Sequence, residues 1–299
     1  MNAECRAWGR FCRSGRDDPM NLTKYFMTTQ PLDHTVGQAD FPSNWNLQAR
    51  KGTNLLFNWS GDTPSVRSVL IDSALGLGAA PDEKSRLTYP VDWLDWNLRR
   101  RAWFGKRMDE LDNFLSLLPP PKYPFEIDAK LAATGKPIYQ KFCAECHDVG
   151  ASRTSKVMPI AEIGTDRERL DTWTQVAADE ANSAVKNLGI NRPNMVKNFG
   201  YVSPPLDGIW MRTPYLHNGS VPTLGDLLEP VEKRPRVFYR GYDVYDRVKV
   251  GFVTQGAAAE HGGWKVDVTV RGEGNAGHDY GLDLTDTEKK SVLEYLKTF

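Results

Sequence analysis

Cys143-Ala144-Glu145-Cys146-His147 sets two thiols three residues apart and an imidazole directly after the second. This C-x-x-C-H order is the attachment pattern of a c-type haem. The two thiols bond the two vinyl groups of one porphyrin, and the adjacent histidine is carried beneath the iron as proximal ligand. A dithiol redox pair and half of a zinc site are the other chemistries this spacing serves. The redox reading calls for a βαβ pattern around the pair, and the sequence shows none. The zinc reading needs further ligands, and Cys5 and Cys12 form no second knuckle and have no following histidine. One covalent haem c on Cys143, Cys146 and His147 is the expectation.

The sixth position of the iron decides what such a haem does. Two protein ligands suit electron transfer, whereas an open position admits peroxide or oxygen. The candidates are His278, His217, Met158, Met195 and Met211, with His34 and His261 behind them. His278 follows Gly272, Gly274 and Gly277, a loop whose missing side chains allow backbone and imidazole to approach a porphyrin face. It reads otherwise as a surface-loop histidine. His217 sits in a proline-bounded loop after two bulky residues and reads as a ligand or as a structural histidine. The methionines serve as ligands or as core filler. Arg212 is a candidate partner of a haem propionate, since guanidinium meets carboxylate bidentately. Trp210 and Tyr215 are candidates for the haem surround.

Two helices must hold these groups. Residues 129–147 read as a helix running into the attachment motif, with Leu131, Tyr139 and Phe142 apolar and Gly135 small enough for a close crossing. The last helix opens on Thr285 and Glu288, a capping box, and its stripe is Val292, Leu293, Tyr295, Leu296 and Phe299. Upstream, Pro64 opens a helical run with Val66, Val69, Leu70 and Ala74 on one face, ended by Gly76 and Gly78. A further helix spans 106–118 with Met108, Leu111, Phe114, Leu115 and Leu118 on its apolar side, stopped by Pro119, Pro120 and Pro121. The triple proline divides the chain into 19–121, a partial first cytochrome-like domain without a haem motif, and 122–299, the haem domain. Residues 1–18 read as an unstructured or mis-assigned start with no apolar secretory core. The pattern of 235–275 suits a small β-hairpin. The fold class is mainly α, a class I cytochrome c-like domain with long loop insertions.

The 299 residues are ample for a real core, and an apolar share of 40% with 25% charged residues is that of an ordinary globular protein. Thirty-eight basic residues balance thirty-eight acidic ones, so no global field favours nucleic acid or an anionic membrane. No apolar run reaches the roughly eighteen residues of a membrane span. Nine tryptophans and nineteen prolines point to a loop-rich fold packed by aromatics.

Pro214-Tyr215-Leu216-His217-Asn218-Gly219-Ser220-Val221-Pro222-Thr223-Leu224 resembles the P-Y-[LMF]-H-[ND]-G-S-V-x-T-L segment of the bacterial di-haem cytochrome c peroxidase superfamily. With Leu206-Asp207-Gly208-Ile209-Trp210-Met211-Arg212-Thr213 before it and Gly277-His278-Asp279-Tyr280-Gly281 after it, the chain is most similar to the rubber oxygenase-like branch. The resemblance spans 120–299 well and 15–120 more loosely. It implies two haems, the first in an amino-terminal domain where peroxide or oxygen reacts. Only one C-x-x-C-H is present here, and it matches the second, electron-transferring haem. Relatives often carry a histidine where Asn58 precedes Trp59, which weakens the case for an active haem in that half. The peroxidase branch takes its sixth ligand as a methionine at the position of Val231, which cannot ligate iron. The rubber oxygenase branch uses a late histidine, which favours His278. In the family the segment of His217 packs near the haem between the domains.

Two functions follow as expectations. The first is a mono-haem electron carrier, the electron-transfer part of a di-haem peroxidase-like oxidoreductase, in the periplasm or secreted, because c-type haem is normally attached outside the bacterial inner membrane. It implies an electron-donor or electron-acceptor protein as partner and allows for a missing upstream haem domain. The alternative is a peroxidase or oxygenase reacting at the iron itself.

Overall fold

The computed structural model describes residues 16–31, 34–51, 56–81 and 88–299, together with the backbone of Cys12–Arg13. Cys5 and the side chain of Cys12 lie outside the described residues. The chain is mainly helical, and its strands are short pairs. In order, the principal helices are α1 (Pro19–Met27), α2 (Val66–Gly76), and α3, a rod made of Pro90–Asp95, Trp96–Arg100 and Arg101–Leu117. Then come α4 (Ala129–Phe142), α5 (Ala144–His147), α6 (Gln175–Asn187) and α7 (Asp286–Leu296). Local chemistry sets their starts. Asp18, Ser65, Asp128, Thr174 and Thr285 each accept a backbone N–H of the first turn, and Thr285 with Glu288 completes the expected capping box.

The amino-terminal part differs from expectation in three ways. Arg16 is not in a loose start: Arg16–Asp17 pairs with Ala39–Asp40, and its buried guanidinium meets Glu273 at 2.6 Å. A buried cation needs such a partner. In α2 the cap is Ser65 rather than Pro64, and Ile71 and Leu75 are its most buried apolar residues, because core lies on two sides of the helix. The helix expected at 106–118 begins instead at Pro90. Trp93, Trp96, Phe104 and Met108 face inward, while Leu111 and Phe114 point to solvent. At 100° per residue Leu111 and Phe114 fall about 60° and about 120° round from Met108, off the buried line through Phe104 and Met108.

One core joins α1, α2, α3 and α6 through Met20, Ile71, Trp93, Trp96, Trp173 and Ala181. Trp96 Nε1 donates to the Leu188 carbonyl at 3.0 Å. The core therefore takes in helices from both sides of Pro119–Pro121, and position 121 does not separate two cores. A second core joins α4, α7 and the segment 206–228 through Tyr139, Tyr215, Val221, Leu224, Val292 and Leu296. Residues 235–275 carry two antiparallel ribbons rather than one hairpin: Val237–Arg240 with Trp264–Asp267, and Tyr245–Asp246 with Gly251–Phe252.

α4 and α7 cross at Gly135, where a Cβ would overlap the Ser291 carbonyl. Beside the crossing, the Tyr139 ring sits 5.3 Å from Tyr295 and 5.0 Å from Phe299, and its hydroxyl donates to Asp148 at 2.7 Å. Gly135→Val should force the two helices apart and cost about 1–3 kcal/mol, the usual penalty for overpacking. Chemical denaturation measures it, and a variant as stable as the parent would contradict the close crossing.

Candidate functional site

The attachment motif sits where α4 turns into α5. The His147 N–H donates to the Cys143 carbonyl at 3.1 Å, closing the single turn that carries both thiols and the imidazole to one wall. His147 Nδ1–H donates to the Pro204 carbonyl at 2.6 Å. A carbonyl only accepts, so the proton is on Nδ1 and the lone pair is on Nε2. Burial pushes the His147 pKa down, which keeps the ring neutral. A neutral imidazole oriented by a main-chain acceptor is the usual arrangement of a metal-binding histidine.

His278 faces it. The ring centroids are 6.2 Å apart, with 44° between the planes. Several features of the loop hold it there. The His278 N–H donates to the Ile163 carbonyl at 2.7 Å, and His278 adopts φ +56°. That is left-handed backbone, which a side chain makes costly. Gly277, at φ +77°, lies so close to the backbone of Ile163–Thr165 that any Cβ would overlap it. Arg234, fully buried, donates to the carbonyls of Asn275 (2.6 Å), Gly277 (2.9 Å), Glu229 (2.8 Å) and Leu227 (3.2 Å), tying the loop to the segment before it. Burial, with smaller contributions from His147 and Arg234, pushes the His278 pKa down to about 3. The ring is neutral, and its Nδ1 is buried without a hydrogen-bond partner among the described residues.

The separation is compatible with a metal shared by the two rings. An imidazole nitrogen sits about 2.0–2.1 Å from a bound metal, and the ring centre about 1.1 Å further, so two rings sharing one metal have centroids about 6.2–6.4 Å apart. The 6.2 Å found here fits an iron between His147 and His278. The cavity they share measures about 1440 Å³ with its open mouth included. Cys143 and Cys146 are on its wall, which is otherwise built largely from Phe142, Ile163, Pro204, Leu224, Leu228, Val292 and Leu296. These residues fit a porphyrin: two thiols at one side, an imidazole at each face, and apolar walls.

The competing chemistries of the motif find less support. Burial raises the Cys143 thiol to about 11, with Cys146 and Asp148 adding to it, and burial raises Cys146 as well. A reactive dithiol needs the opposite, an electropositive surround that lowers the pKa. Among the described residues no three or more His, Cys, Asp or Glu side chains come together as a metal site, so a zinc reading lacks ligands.

The other candidates separate clearly. His217 is on the cavity wall, stacked on Tyr201 at 3.8 Å and 19°, and kept neutral by burial and by Arg169. Its Nε2 has no hydrogen-bond partner among the described residues. Met158 is also on the wall. Met195 is in the first core, Met211 is half exposed, and His34 and His261 are exposed, so none of these four reaches the cavity. Arg212 is on the wall and donates to the Phe41 carbonyl at 2.7 Å. Trp210 is not on the wall, contrary to expectation. It is buried behind it, donating to the Pro121 carbonyl at 2.9 Å and packed edge-on against Tyr123.

Three contributors escaped the sequence. Trp59 lines the cavity and donates to the Asp40 carbonyl at 2.6 Å; only its neighbour Asn58 had drawn notice. Pro204 acts through a main-chain oxygen, which leaves no mark in a residue pattern. Arg234 follows Glu232 and Lys233 and reads as surface charge.

Residues 200–239, which contain Pro204, Arg212, His217 and Arg234, match the family described as RoxA-like, cytochrome c-like. Two proteins of Sinorhizobium fredii (strain NBRC 101917 / NGR234) are similar over longer stretches. Uncharacterized protein y4iM is 27% identical over 304 residues, covering 87% of this chain and 64% of its own length. Uncharacterized protein y4iJ is 29% identical over 255 residues, covering 62% of this chain and 42% of its own length. The chain thus spans less than two-thirds of either relative. The family match supports the resemblance to rubber oxygenase-like cytochromes, and a cytochrome c-like domain implies a haem cofactor.

Arg234→Met should leave four carbonyls, two of them in buried hydrogen bonds, without their donor and cost about 3 kcal/mol or more, the range for removing one partner of a buried charged network. Denaturant unfolding of the variant measures the loss; a change within experimental error would show that the His278 loop does not depend on it.

Proposed function

We propose that this chain is a c-type haem protein that carries single electrons, with one haem bonded to Cys143 and Cys146 and ligated by His147 and His278. The observation that carries the reading is the 6.2 Å separation of two neutral, buried imidazoles across one apolar cavity. When bound, the haem supplies a reversible one-electron couple at iron whose potential is set by its axial ligands, hydrogen bonds and burial. The residues of the chain do the rest. The Pro204 carbonyl fixes the His147 tautomer and makes Nε2 a better donor. The loop tied by Arg234 would hold His278 to the iron as its second protein ligand, leaving no position for peroxide or oxygen. The walls exclude water, and Arg212 is placed to meet a propionate. Such a site suits an exchange of electrons with a donor or acceptor protein. In the wider superfamily this haem serves a second one, and a further haem domain, joined or docked, would supply any peroxide or oxygen chemistry. Covalent haem attachment normally takes place outside the bacterial inner membrane, which supports a periplasmic or secreted location.

The test is expression with a secretion leader alongside the cytochrome c maturation machinery. A pyridine haemochrome should show one covalent haem per chain, lost in Cys143→Ser with Cys146→Ser. The ferric spectrum should be low-spin and unmoved by cyanide, and His278→Ala should convert it to a high-spin, cyanide-binding form. A high-spin parent protein would replace this reading with a peroxidase or oxygenase acting at the iron. A His278→Ala protein that stays low-spin would move the sixth ligand to His217 or Met158.

A further inference from the structure

The rod α3 turns a row of large apolar side chains away from the protein. Val91, Leu94, Leu98, Trp103, Phe114 and Leu117 are between 58% and 75% exposed, while Trp93, Trp96, Phe104 and Met108 of the same rod are buried. The π turn Trp96–Arg100 lies within the outer row. An unbroken α-helix would set Leu98 and Trp103 about 140° apart; the π turn changes that phase, and both are exposed, at 71% and 63%. At 1.5 Å per residue the rod is roughly 42 Å long. Single exposed apolar residues are ordinary, but a row of this length marks a surface that meets something.

The charges name what it meets. Residues 96–107 hold Arg99, Arg100, Arg101, Lys106 and Arg107 and no acidic residue. Within the rod Arg99 pairs with Asp95 at 2.5 Å and Arg107 with Glu110 at 2.6 Å, while Asp109 and Asp112 are neutralised from outside it by Arg67 at 2.5 Å and Lys51 at 3.1 Å. With those pairs formed, the middle of the rod keeps a positive excess on Arg100, Arg101 and Lys106, in a chain whose formal net charge is zero. Two copies paired symmetrically and antiparallel through this face would set one cationic middle against the other, which is unfavourable. Arg and Lys side chains bordering Leu, Val and Trp, on a helix with little groove for a folded partner, match an interfacial helix. We propose that α3 lies on an anionic phospholipid surface, with Val91, Leu94, Leu98 and Trp103 at the acyl boundary and the arginines and Lys106 at the headgroup phosphates. None of these residues lines the haem cavity, so this surface is independent of the reading of that site.

The experiment is co-sedimentation of the purified holoprotein with phosphatidylcholine vesicles and with phosphatidylglycerol–phosphatidylcholine vesicles. Binding should be confined to the anionic vesicles and should weaken with added salt, as screening requires. Leu98→Glu with Trp103→Glu, and separately Arg100→Glu with Lys106→Glu, should each weaken it about tenfold or more. Both substitutions are on exposed positions, so thermal melting and the haem spectrum should stay at parental values and certify the fold. No binding to either vesicle, or variants that bind like the parent, overturns the proposal. So does lipid-free self-association abolished by Leu98→Glu, which would assign the face to a second copy, or retention on polyglutamate without vesicle binding, which would assign it to an acidic polypeptide.

Discussion

Everything about the site depends on holding two neutral imidazoles face to face across an apolar space. Burying a histidine favours its uncharged form, and the uncharged form is the one that can bind a metal. His147 and His278 are both buried and both held below their ordinary pKa. They come from positions far apart in the chain, and each is fixed by main-chain oxygens: Pro204 for the first, and Ile163 together with the carbonyls gripped by Arg234 for the second. The left-handed backbone at His278 is tolerated because these bonds over-determine it. An apolar cleft left empty forfeits the contacts its lining atoms would make. A porphyrin would fill it.

The two cores divide the labour. The crossing of α4 and α7 at Gly135 sets one wall of the cavity and delivers the attachment turn. The other core, under α3, packs tryptophans from both sides of the proline run and stands away from the cavity. The segment 200–239 links the site together, because it supplies the acceptor for His147, the wall residues Arg212 and His217, and the clamp on the His278 loop. That the family match falls on this segment, and not on the attachment motif, agrees with its role.

The parts of this arrangement that are written in side-chain chemistry were legible in the sequence. Cys143, Cys146 and His147 announce themselves by type and spacing. Thr285 and Glu288 announce a helix start, and Gly135 announces a close crossing. His278 was legible less directly, through the glycines that precede it and the absence of a methionine at Val231. What was illegible acts through the backbone or through phase. The Pro204 oxygen belongs to no motif. Arg234 is indistinguishable in sequence from the charged residues beside it, although it is buried among carbonyls. Of the stripe expected on the last helical stretch of α3, Met108 is buried and Leu115 partly so, but Leu111 and Phe114 face solvent, because an apolar stripe does not say which side is core. Trp210 was placed at the haem because it is aromatic and near the right segment, yet its indole is satisfied by Pro121 behind the wall.

The central claim is the ligand set, and the coordination shell of iron tests it most directly. X-ray absorption fine structure at the iron edge of the matured ferric protein should show a six-coordinate shell of nitrogen alone at about 2.0 Å, four from the porphyrin and two from imidazoles. A sulfur scatterer at about 2.3 Å, as Met158 would contribute, or a five-coordinate shell would contradict it.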